Sequence, residues 1–395
     1  MVLMKRKASV LTFTVTLLVL FLIVASAPSL KAASEPSPVP WDKTYGPIEG
    51  YRIMQTDDGG YAIACEEGVW HTSRGPGGFT NVTFLLIKTD SAGQVQWRKN
   101  YQGAGLYSAI LTNDGGYALV GIDNGERNLV KVDSEGNVQW SKNYSALSDS
   151  FPSDVVQTQD GGYAIAGYAS SGYGSESRLV KIDANGNLQW NKTYGAASEY
   201  NSVYSLVEAE DGGFAMAGIT GYHSHGDLDA WLVKTDSQGT VIWNVAYGTT
   251  GRDSFRSVAQ TTDGEYVAAG EFNFLVEYSA ATVVVKIDAL GNVKWAIKYQ
   301  NRRSNPLSII GTQDGGYAFT GEKALGRYTD FTDIWFVKNT PPSDFQRTLS
   351  GFYATSAPAE PPETFPITWI VIATVTVVAG LSLGLLAYLI KKRKR

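Results

Sequence analysis

Cysteine and histidine are almost absent from this chain of 395 residues. Its single cysteine, Cys65, excludes an intramolecular disulfide and a zinc site built from thiolates. The three histidines are His71, His223 and His225, so a Ser-His-Asp triad would have to use one of them. The sequence also has no Gly-x-Ser-x-Gly, no His-Glu-x-x-His and no P-loop. We therefore expect no catalytic residue, no cofactor and no metal site.

Positive charge is concentrated at the two ends. Three basic residues lie at positions 5–7 and five at 391–395, with no acid beside them. Because the formal net charge is −5, the remainder of the chain carries −13. So acidic a surface repels phosphate backbones, which argues against nucleic-acid binding. It is compatible with cations, neutral glycans or protein partners.

Two apolar segments predict export and membrane anchoring. Residues 1–33 combine basic residues, an apolar run and small residues, as a signal peptide does, and an uncleaved signal anchor is the alternative. Residues 367–390 contain no charge and are long enough to cross a hydrocarbon core of about 30 Å. The basic run that follows places the C-terminus in the cytoplasm and the preceding residues outside the cell. We therefore expect a single-pass protein of the cell membrane.

An internal repeat lies between these segments. Asp-Gly-Gly followed by an aromatic residue recurs at Asp58, Asp114, Asp160, Asp211 and Asp314, with Asp-Gly-Glu-Tyr at Asp263. Apolar-Lys-x-Asp-x-x-Gly recurs at Lys88, Lys131, Lys181, Lys234 and Lys286, and decays at Lys338. A Trp followed four residues later by Tyr recurs at Trp41, Trp97, Trp140, Trp190, Trp243 and Trp295. Repeats of this length indicate a solenoid or a propeller.

Each repeat predicts four short strands, A to D. In residues 154–194, strand A precedes a two-residue Asp160-Gly161 turn, and strands B and C follow. A turn beginning at Asp183 leads to strand D, which holds Trp190 and Tyr194. The residue after the strand B aromatic is Ala in five of six repeats, and a small residue there suits sheets that pack closely. Stacked four-stranded units of this kind predict an all-β, six-bladed β-propeller.

The ends of the array predict ring closure. The chain enters with a strand D at 41–45 and leaves after a strand C near Lys338. We therefore expect the N-terminal strand to complete the last blade, because a linear stack would leave bare sheet edges. The predicted divisions are a signal peptide or anchor (1–33), a propeller ectodomain (34–340), a Pro-rich stalk (341–366), a transmembrane helix (367–390) and a basic tail (391–395).

The repeats resemble a family of prokaryotic, often archaeal, membrane-anchored surface propellers. The resemblance rests on the segments 190–195 (WNKTYG), 157–167 (QTQDGGYAIAG) and 180–187 (VKIDANGN). It covers about residues 41–338 and implies a propeller fold at the cell surface. It implies no agreed activity, although some members carry endoglucanase-like or lectin-like labels. A more distant similarity is to quinoprotein-type repeats.

Any ligand site is expected on the face that carries the B–C and D–A loops, because those loops vary between repeats. Trp70 and His71 lie in the longest of them, predicted at about 66–83, where an exposed Trp could stack on a sugar. Tyr222, His223 and His225 lie in another of these loops and are the other candidate binding residues. The structural alternatives are that Trp70 packs the long loop onto its own blade and that the segment with Tyr222 is a polar hairpin loop.

Repeated acids and sequons have simpler interpretations. We expect the acids at the C–D turns to cap backbone amides, because one carboxylate per blade is too few for calcium. They are Asp90, Asp133, Asp183, Asp236 and Asp288. Asn81, Asn143 and Asn191 are glycosylation candidates. Loop acids could supply a glycosidase pair if they converge; the candidates are Glu66, Asp123, Asp227, Asp229, Glu271 and Asp330.

Three functions compete on these grounds. The first is a non-enzymatic binding or adhesion module for a glycan or a surface protein. The second is a carbohydrate-active or quinoprotein-like enzyme, and the third is a structural protein of the cell envelope. Polar positions near the central channel, Gln55, Gln157, Glu208 and Gln260, are expected of a water-filled channel and require no cofactor.

Overall fold

A computed structural model describes most of the repeat array. The described residues are 43–45, 49–71, 78–123, 125–147, 150–170, 174–196, 198–221, 227–274, 279–299, 304–324, 332–339 and 353–356. In that part of the chain, no helix is long and apolar enough to cross a membrane. The predicted signal (1–33), membrane span (367–390) and basic tail (391–395) lie outside the described residues.

The described part forms six antiparallel sheets, the blades of a β-propeller. Blade 1 contains β1 (Glu49–Gln55), β2 (Tyr61–His71), β3 (Gly78–Thr89) and β4 (Val95–Tyr101). Blade 2 contains β5 (Ala104–Leu111), β6 (Tyr117–Asp123), β7 (Glu126–Val132) and β8 (Val138–Asn143), and a short 3-10 helix follows at Ser145–Leu147. Blade 3 contains β9 (Ser150–Gln157), β10 (Tyr163–Ser170), β11 (Ser175–Ile182) and β12 (Leu188–Tyr194).

The other three blades follow the same plan. Blade 4 contains β13 (Asn201–Glu208), β14 (Phe214–Thr220), β15 (Asp229–Thr235) and β16 (Val241–Gly248). Blade 5 contains β17 (Asp253–Gln260), β18 (Tyr266–Phe274), β19 (Ser279–Ile287) and β20 (Val293–Tyr299). Blade 6 contains β21 (Ser304–Gly311), β22 (Tyr317–Ala324) and β23 (Thr332–Asn339), and β24 (Tyr353–Ser356) follows it in the chain. The prediction of an all-β fold with six blades is confirmed.

Strand order within each blade follows the chain, so neighbouring strands are joined by hairpins. The A–B and C–D turns lie at one end of the blades, which we call the turn face. The B–C and D–A connections lie at the other end, which we call the loop face. Blade 6 has three strands among the described residues. Residues 43–45 are not in a strand and residues 41–42 lie outside the described part, so ring closure by 41–45 remains a prediction.

The A–B turn differs from the predicted two-residue hairpin. In blade 3 the loop comprises residues 159–161: Gly161 N donates to Thr158 O (2.8 Å), and Thr158 N donates to Gly162 O (2.9 Å). Gly161 has the positive φ (78°) that such a three-residue loop needs at its last position. The prediction of a left-handed residue at Gly161 is confirmed, and the two-residue loop length is wrong.

The turn acid of each blade forms an ion pair with the lysine of strand C. Lys181 Nζ lies 2.8 Å from Asp160 Oδ2, and the lysine side chain is only 7% exposed. Gly162 is needed beside this pair, because a Cβ there would lie 2.3 Å from Ile182 O and 2.7 Å from Lys181 Nζ. The equivalent pairs in the other blades are Asp58–Lys88, Asp114–Lys131, Asp211–Lys234, Asp263–Lys286 and Asp314–Lys338.

The acids of the C–D turns cap their own backbone, as predicted. Asp183 Oδ1 accepts hydrogen bonds from the amides of Asn185 (2.9 Å) and Asn187 (2.7 Å). Asp90, Asp133, Asp236 and Asp288 make the same pair of contacts in their blades. These carboxylates therefore serve turn geometry.

The core lies between blades. Each buried cluster in the described part combines side chains from two consecutive blades; for example, Ala164 and Leu179 of blade 3 pack with Phe214 and Met216 of blade 4. The alanines predicted to permit close sheet packing, Ala62, Ala118, Ala164, Ala215 and Ala318, are all buried. Burial of apolar area between twisted sheets is the main stabilising contribution in such a stack.

The Trp and Tyr of strand D join each blade to the next. The ring of Trp190 meets that of Phe214 edge to face, with centroids 6.0 Å apart. Tyr194 Oη donates to the carbonyl oxygen of Gly239 in the next C–D turn (2.8 Å). Equivalent edge-to-face pairs are Trp97–Tyr117, Trp140–Tyr163 and Trp243–Tyr266, and the rings of Trp295 and Tyr317 meet at a smaller angle, 37°. The repeated motifs therefore record contacts between blades as well as turns within them.

A strand in the predicted stalk extends blade 4. β24 pairs antiparallel with β16, from Gly248↔Tyr353 to Val245↔Ser356. Because β16 runs from the turn face to the loop face, β24 runs toward the turn face. This strand was not predicted, because proline-rich surroundings favour extended unpaired chain.

Candidate functional site

The predicted site residues fall in two regions. Trp70 and His71 lie within β2, where their backbones pair with Phe79 and Gly78. The prediction that they belong to a long loop is therefore wrong, because strand pairing continues to the end of β2 and leaves residues 72–77 as the connection. Tyr222, His223 and His225 lie outside the described residues, and their predicted binding role stays untested.

Two of the three sequons lie where a glycan could reach them. Asn143 and Asn191 are exposed on the outer strands β8 and β12. Asn143 Nδ2 donates to Glu126 Oε2 (2.8 Å). The side chain of Asn81 lies outside the described part. Modification of these asparagines remains a prediction.

A cavity of about 290 Å³ opens on the loop face between blades 4 and 5. It is lined by Tyr204, Ile219, Arg252, Ser254, Arg256, Glu271, Asn273 and Ala280. Two cationic, one anionic, three uncharged polar and two apolar side chains thus share one concave surface. A concave surface with several convergent polar groups is a candidate ligand site.

Backbone bulges place Tyr204 and Arg256. Pairing shifts register between Val203 and Ser205 in β13, and between Phe255 and Ser257 in β17, so each intervening residue is the extra one of a bulge. Both residues stand seven positions before the turn acid of their blade. The glycine opposite is required, because a Cβ on Gly270 would lie 2.1 Å from the Ser254 carbonyl oxygen.

The same position differs from blade to blade. In chain order it holds Tyr51, Tyr107, Ser153, Tyr204, Arg256 and Leu307. The motifs on either side are nearly constant, so this position and the loops distinguish the blades on the loop face. This position was not predicted, because the bulge is visible only in the strand pairing. The signal available in the sequence was that the residue seven positions before the repeated turn acid varies from blade to blade.

Arg256 and Tyr204 contact each other across the blade boundary. The guanidinium carbon lies 5.0 Å from the centroid of the tyrosine ring, a cation–π arrangement. Burial raises the pKa of Tyr204, and the nearby Arg256 and Arg252 partly oppose this rise. The tyrosine therefore stays neutral near pH 7 and presents an aromatic wall with a hydroxyl group.

A buried carboxylate holds the segment that carries Arg252. Asp253 accepts hydrogen bonds from the amide of Asn273 (2.8 Å), from the amide of Thr249 and from Thr249 Oγ1 (3.0 Å). These contacts tie the D–A loop of blade 4 to β18. They fix the backbone on both sides of Asp253, where Arg252 and Ser254 line the cavity.

Asp253 is paired with a second carboxylate. A Cβ placed on Gly248 would lie 2.6 Å from Asp229 Oδ1 and 2.8 Å from Asp253 Oδ2, so the two groups approach each other. Burial raises the pKa of Asp253 to about 7, and the charge of Asp229 adds to the effect. Among the candidate acids for a glycosidase pair, Asp229 therefore lies beside Asp253. Asp253 was not among the acids predicted from the sequence. Both side chains are inaccessible (0% exposed), so a substrate does not reach them.

A larger groove, about 560 Å³, lies on the turn face between blades 3 and 4. Its charged groups already have partners: Asp160 pairs with Lys181, and Glu208 Oε2 accepts from Gln159 N (2.8 Å). Gln157 and Gln260 make the same contact with neighbouring A–B turns. Glu208, Gln157 and Gln260, which were predicted only to line a water-filled channel, therefore also join neighbouring blades. As a ligand site, the groove is a weaker candidate than the loop-face cavity.

Polar residues of the innermost strands form a second set of links between blades. Asp154 is buried and accepts from Arg52 (2.7 Å), Ser108 (3.1 Å) and the amide of Leu206 (3.0 Å). Burial raises its pKa, and the adjacent Arg52 opposes this. The carboxylate is satisfied by four protein donors, including Val155 N, so we assign it a structural role.

No protein-family model matches this sequence, and no curated protein matches it. Among solved structures, an endo-arabinase from Bacteroides thetaiotaomicron is 10% identical over 62% of this chain and 96% of its own (TM-score 0.36). A functionally unknown protein from Desulfotomaculum acetoxidans is 14% identical over 62% and 68% (TM-score 0.40). A glucose dehydrogenase is 10% identical over 74% and 100% (TM-score 0.40). Likenesses this distant carry no argument about the activity of this chain.

Proposed function

We propose that this chain is a membrane-anchored surface protein whose propeller is a non-enzymatic binding module for a glycan or a protein. The observation that carries the proposal is the loop-face cavity, where Tyr204 and Arg256 meet across a blade boundary with Arg252 nearby. An accessible aromatic and arginine surface is typical of binding sites. The resemblance to prokaryotic surface propellers belongs to the same proposal.

The path of the chain after blade 6 supports this arrangement. β24 runs toward the turn face, and only ten residues separate Ser356 from the predicted span at 367. Extended at about 3.1 Å per residue, they reach roughly 30 Å. On this proposal the turn face lies toward the membrane, and the loop face with its cavity points away from the cell.

The enzymatic alternative gains little from the described residues. The carboxylate pair that converges there, Asp229 and Asp253, is inaccessible. The structural alternative predicts no ligand on the loop face, so a binding experiment separates it from the proposal.

Binding is tested with the full-length protein in detergent micelles on a glycan array and against extracts of envelope proteins. A reproducible hit that is lost in Arg252→Glu and retained in Arg98→Glu supports the proposal, because Arg98 lies on β4 of blade 1 and does not line the cavity between blades 4 and 5. Hits that both variants retain place binding elsewhere, and Trp70→Ala then tests the other predicted residue. A folded protein with no ligand in either screen refutes the binding function.

Anchoring is tested separately by truncation after residue 366 in a producing cell. We expect the truncated protein to be released and the full-length protein to sediment with membranes. Equal sedimentation of both forms would contradict the predicted span.

A further inference from the structure

Two arginines on the loop face stack on aromatic rings, and they differ in how their donors are used. Arg127 lies 5.3 Å from the centroid of Phe151, and it donates to the carbonyl oxygens of Ser150 and Gly125. Its role is accounted for by these backbone contacts. Arg256 lies over Tyr204 at a similar distance, 5.0 Å.

Arg256 has a donor left over. Among the described residues, its Nε is buried and has no hydrogen-bond acceptor. A buried N–H without an acceptor costs free energy, and an arginine stacked on a ring keeps its in-plane N–H groups free to meet a planar anion. Because this Nε is inaccessible, an anion in the cavity would meet the terminal N–H groups of the Arg256 guanidinium, which lines the cavity wall.

The charge of the cavity is opposite to that of its surroundings. Arg252 and Arg256 line it against one acid, Glu271, whereas the chain outside its basic ends carries a large net negative charge. A cationic depression in an acidic surface favours an anionic group at this place and disfavours it elsewhere on the molecule.

The remaining walls suit hydroxyl groups and an apolar ring face. Ser254, Asn273 and Glu271 offer donors and acceptors, and Tyr204 offers an aromatic surface. The volume of about 290 Å³ lies at the small end of ligand sites. These properties match one sugar unit bearing a carboxylate better than a peptide, which needs a longer groove and acceptors for its backbone.

We propose that this cavity binds a uronic acid unit of an acidic polysaccharide. The carboxylate accepts hydrogen bonds from Arg256 and Arg252, and the sugar hydroxyls meet Ser254, Asn273 and Glu271. This inference rests on the proposed binding function and names its ligand class.

The experiment measures binding by titration calorimetry of the full-length protein in micelles. The probes are tetrasaccharides that contain glucuronate or galacturonate, their carboxyl-reduced neutral forms, a sulfated neutral tetrasaccharide and tetraglutamate. We expect a uronate probe to bind and its reduced form to lose at least tenfold in affinity. Because exposed charges are screened, the affinity should also fall as salt rises.

Variants locate the contact. Arg256→Gln should weaken uronate binding about tenfold or more, since a hydrogen bond to a charged group is lost. Arg256→Lys, which keeps the charge without the planar fork, should lie between the two. Arg252 is exposed, so Arg252→Gln tests the same cavity if the Arg256 variant does not fold. Arg98→Gln is the control for loss of one positive charge.

Each result decides between the claims. Equal binding of the reduced and acidic sugars, or uronate binding unchanged in Arg256→Gln and Arg252→Gln, overturns the inference and leaves a loop-face binding module standing. Preference for tetraglutamate or the sulfated sugar overturns the inference in favour of a peptide or a sulfate ligand. Absence of binding to every probe, combined with empty glycan and protein screens, overturns both proposals.

Discussion

Replacing Asp160 by alanine tests the ion pair that recurs in every blade. Lys181 Nζ donates to Asp160 Oδ1 (2.9 Å), Asp160 Oδ2 (2.8 Å) and the carbonyl oxygen of Ile182 (3.3 Å). The carboxylate also accepts from Gly162 N (3.0 Å) and Thr158 Oγ1 (2.5 Å). The substitution therefore leaves a buried ammonium group with a single protein acceptor and loosens the A–B turn.

The magnitude follows from burial on the two sides of the pair. Breaking a buried ion pair costs about 3–5 kcal/mol. Here the Asp160 side chain is 53% exposed, so water reaches the space it leaves and the cost falls to about 2 kcal/mol. The lost turn contacts add about 1 kcal/mol. We expect Asp160→Ala to lower the free energy of unfolding by about 3 kcal/mol.

A double-mutant cycle with Lys181→Met isolates the pair. The methionine removes the buried charge, so the double variant should be more stable than Asp160→Ala alone, with a coupling of about 2 kcal/mol. The assay is denaturant unfolding of the full-length protein followed by tryptophan fluorescence. Asp183→Ala is the control, because Asp183 caps the C–D turn of the same blade through backbone amides and not through a lysine contact like that of Asp160. It should cost clearly less.

The pH dependence gives a second measure of the same contact. Burial opposes ionisation of Asp160, but hydrogen bonds from Lys181, Thr158 and Gly162 outweigh it and lower the pKa to about 2. A depressed carboxyl pKa contributes stability that is present above the ordinary value of about 3.9 and is lost as pH falls toward 2. The variant should therefore lose less stability than the wild type over that interval. Zero coupling, or a loss no larger than that of Asp183→Ala, would refute this account of the repeat.

Two further predictions concern the contacts between blades. Tyr194→Phe removes the hydrogen bond to the Gly239 carbonyl oxygen and should lower the free energy of unfolding by about 1 kcal/mol, measured from the denaturant midpoint. The control is Tyr200→Phe at an exposed position, which should leave the midpoint unchanged. Equal effects of the two substitutions would contradict an inter-blade role of Tyr194. Asp253 has a raised pKa of about 7, mainly through burial, so its contribution to stability is present below pH 4 and is lost as pH rises toward 7. Asp253→Asn should flatten the melting temperature across pH 4–7, and an unchanged slope would show that Asp253 does not cause it.

Much of the fold could be predicted because its signals are local and repeated. The turn glycines, the alternation of buried residues and the spacing of the three motifs all act over a few residues, and six copies reinforce one another. The length of the A–B loop was missed because Asp-Gly also suits a longer loop that ends in a left-handed glycine, as Gly161 does. Likewise, nothing in the residues around Trp70 marks where strand pairing stops.

The candidate site was harder to predict because its parts are far apart in the chain. Tyr204 and Arg256 meet only after two blades stack, and each is placed by a bulge that depends on its partner strand. The ion pair of Asp160 with Lys181 was not predicted from the sequence for a similar reason. Both residues were recognised as motif positions, but their contact crosses a hairpin that the motifs do not describe.

The amino-acid sequence by itself therefore determined the blade count, the all-β class and the geometry of the C–D turns, since these depend on short-range backbone preferences and on hydrophobic alternation. The tertiary structure alone decided which residues share the loop-face cavity, which carboxylates converge, and where β24 attaches. These features arise from packing between sheets, where contact depends on register and bulges. A change of one residue in pairing would move every side chain to the other face of its strand.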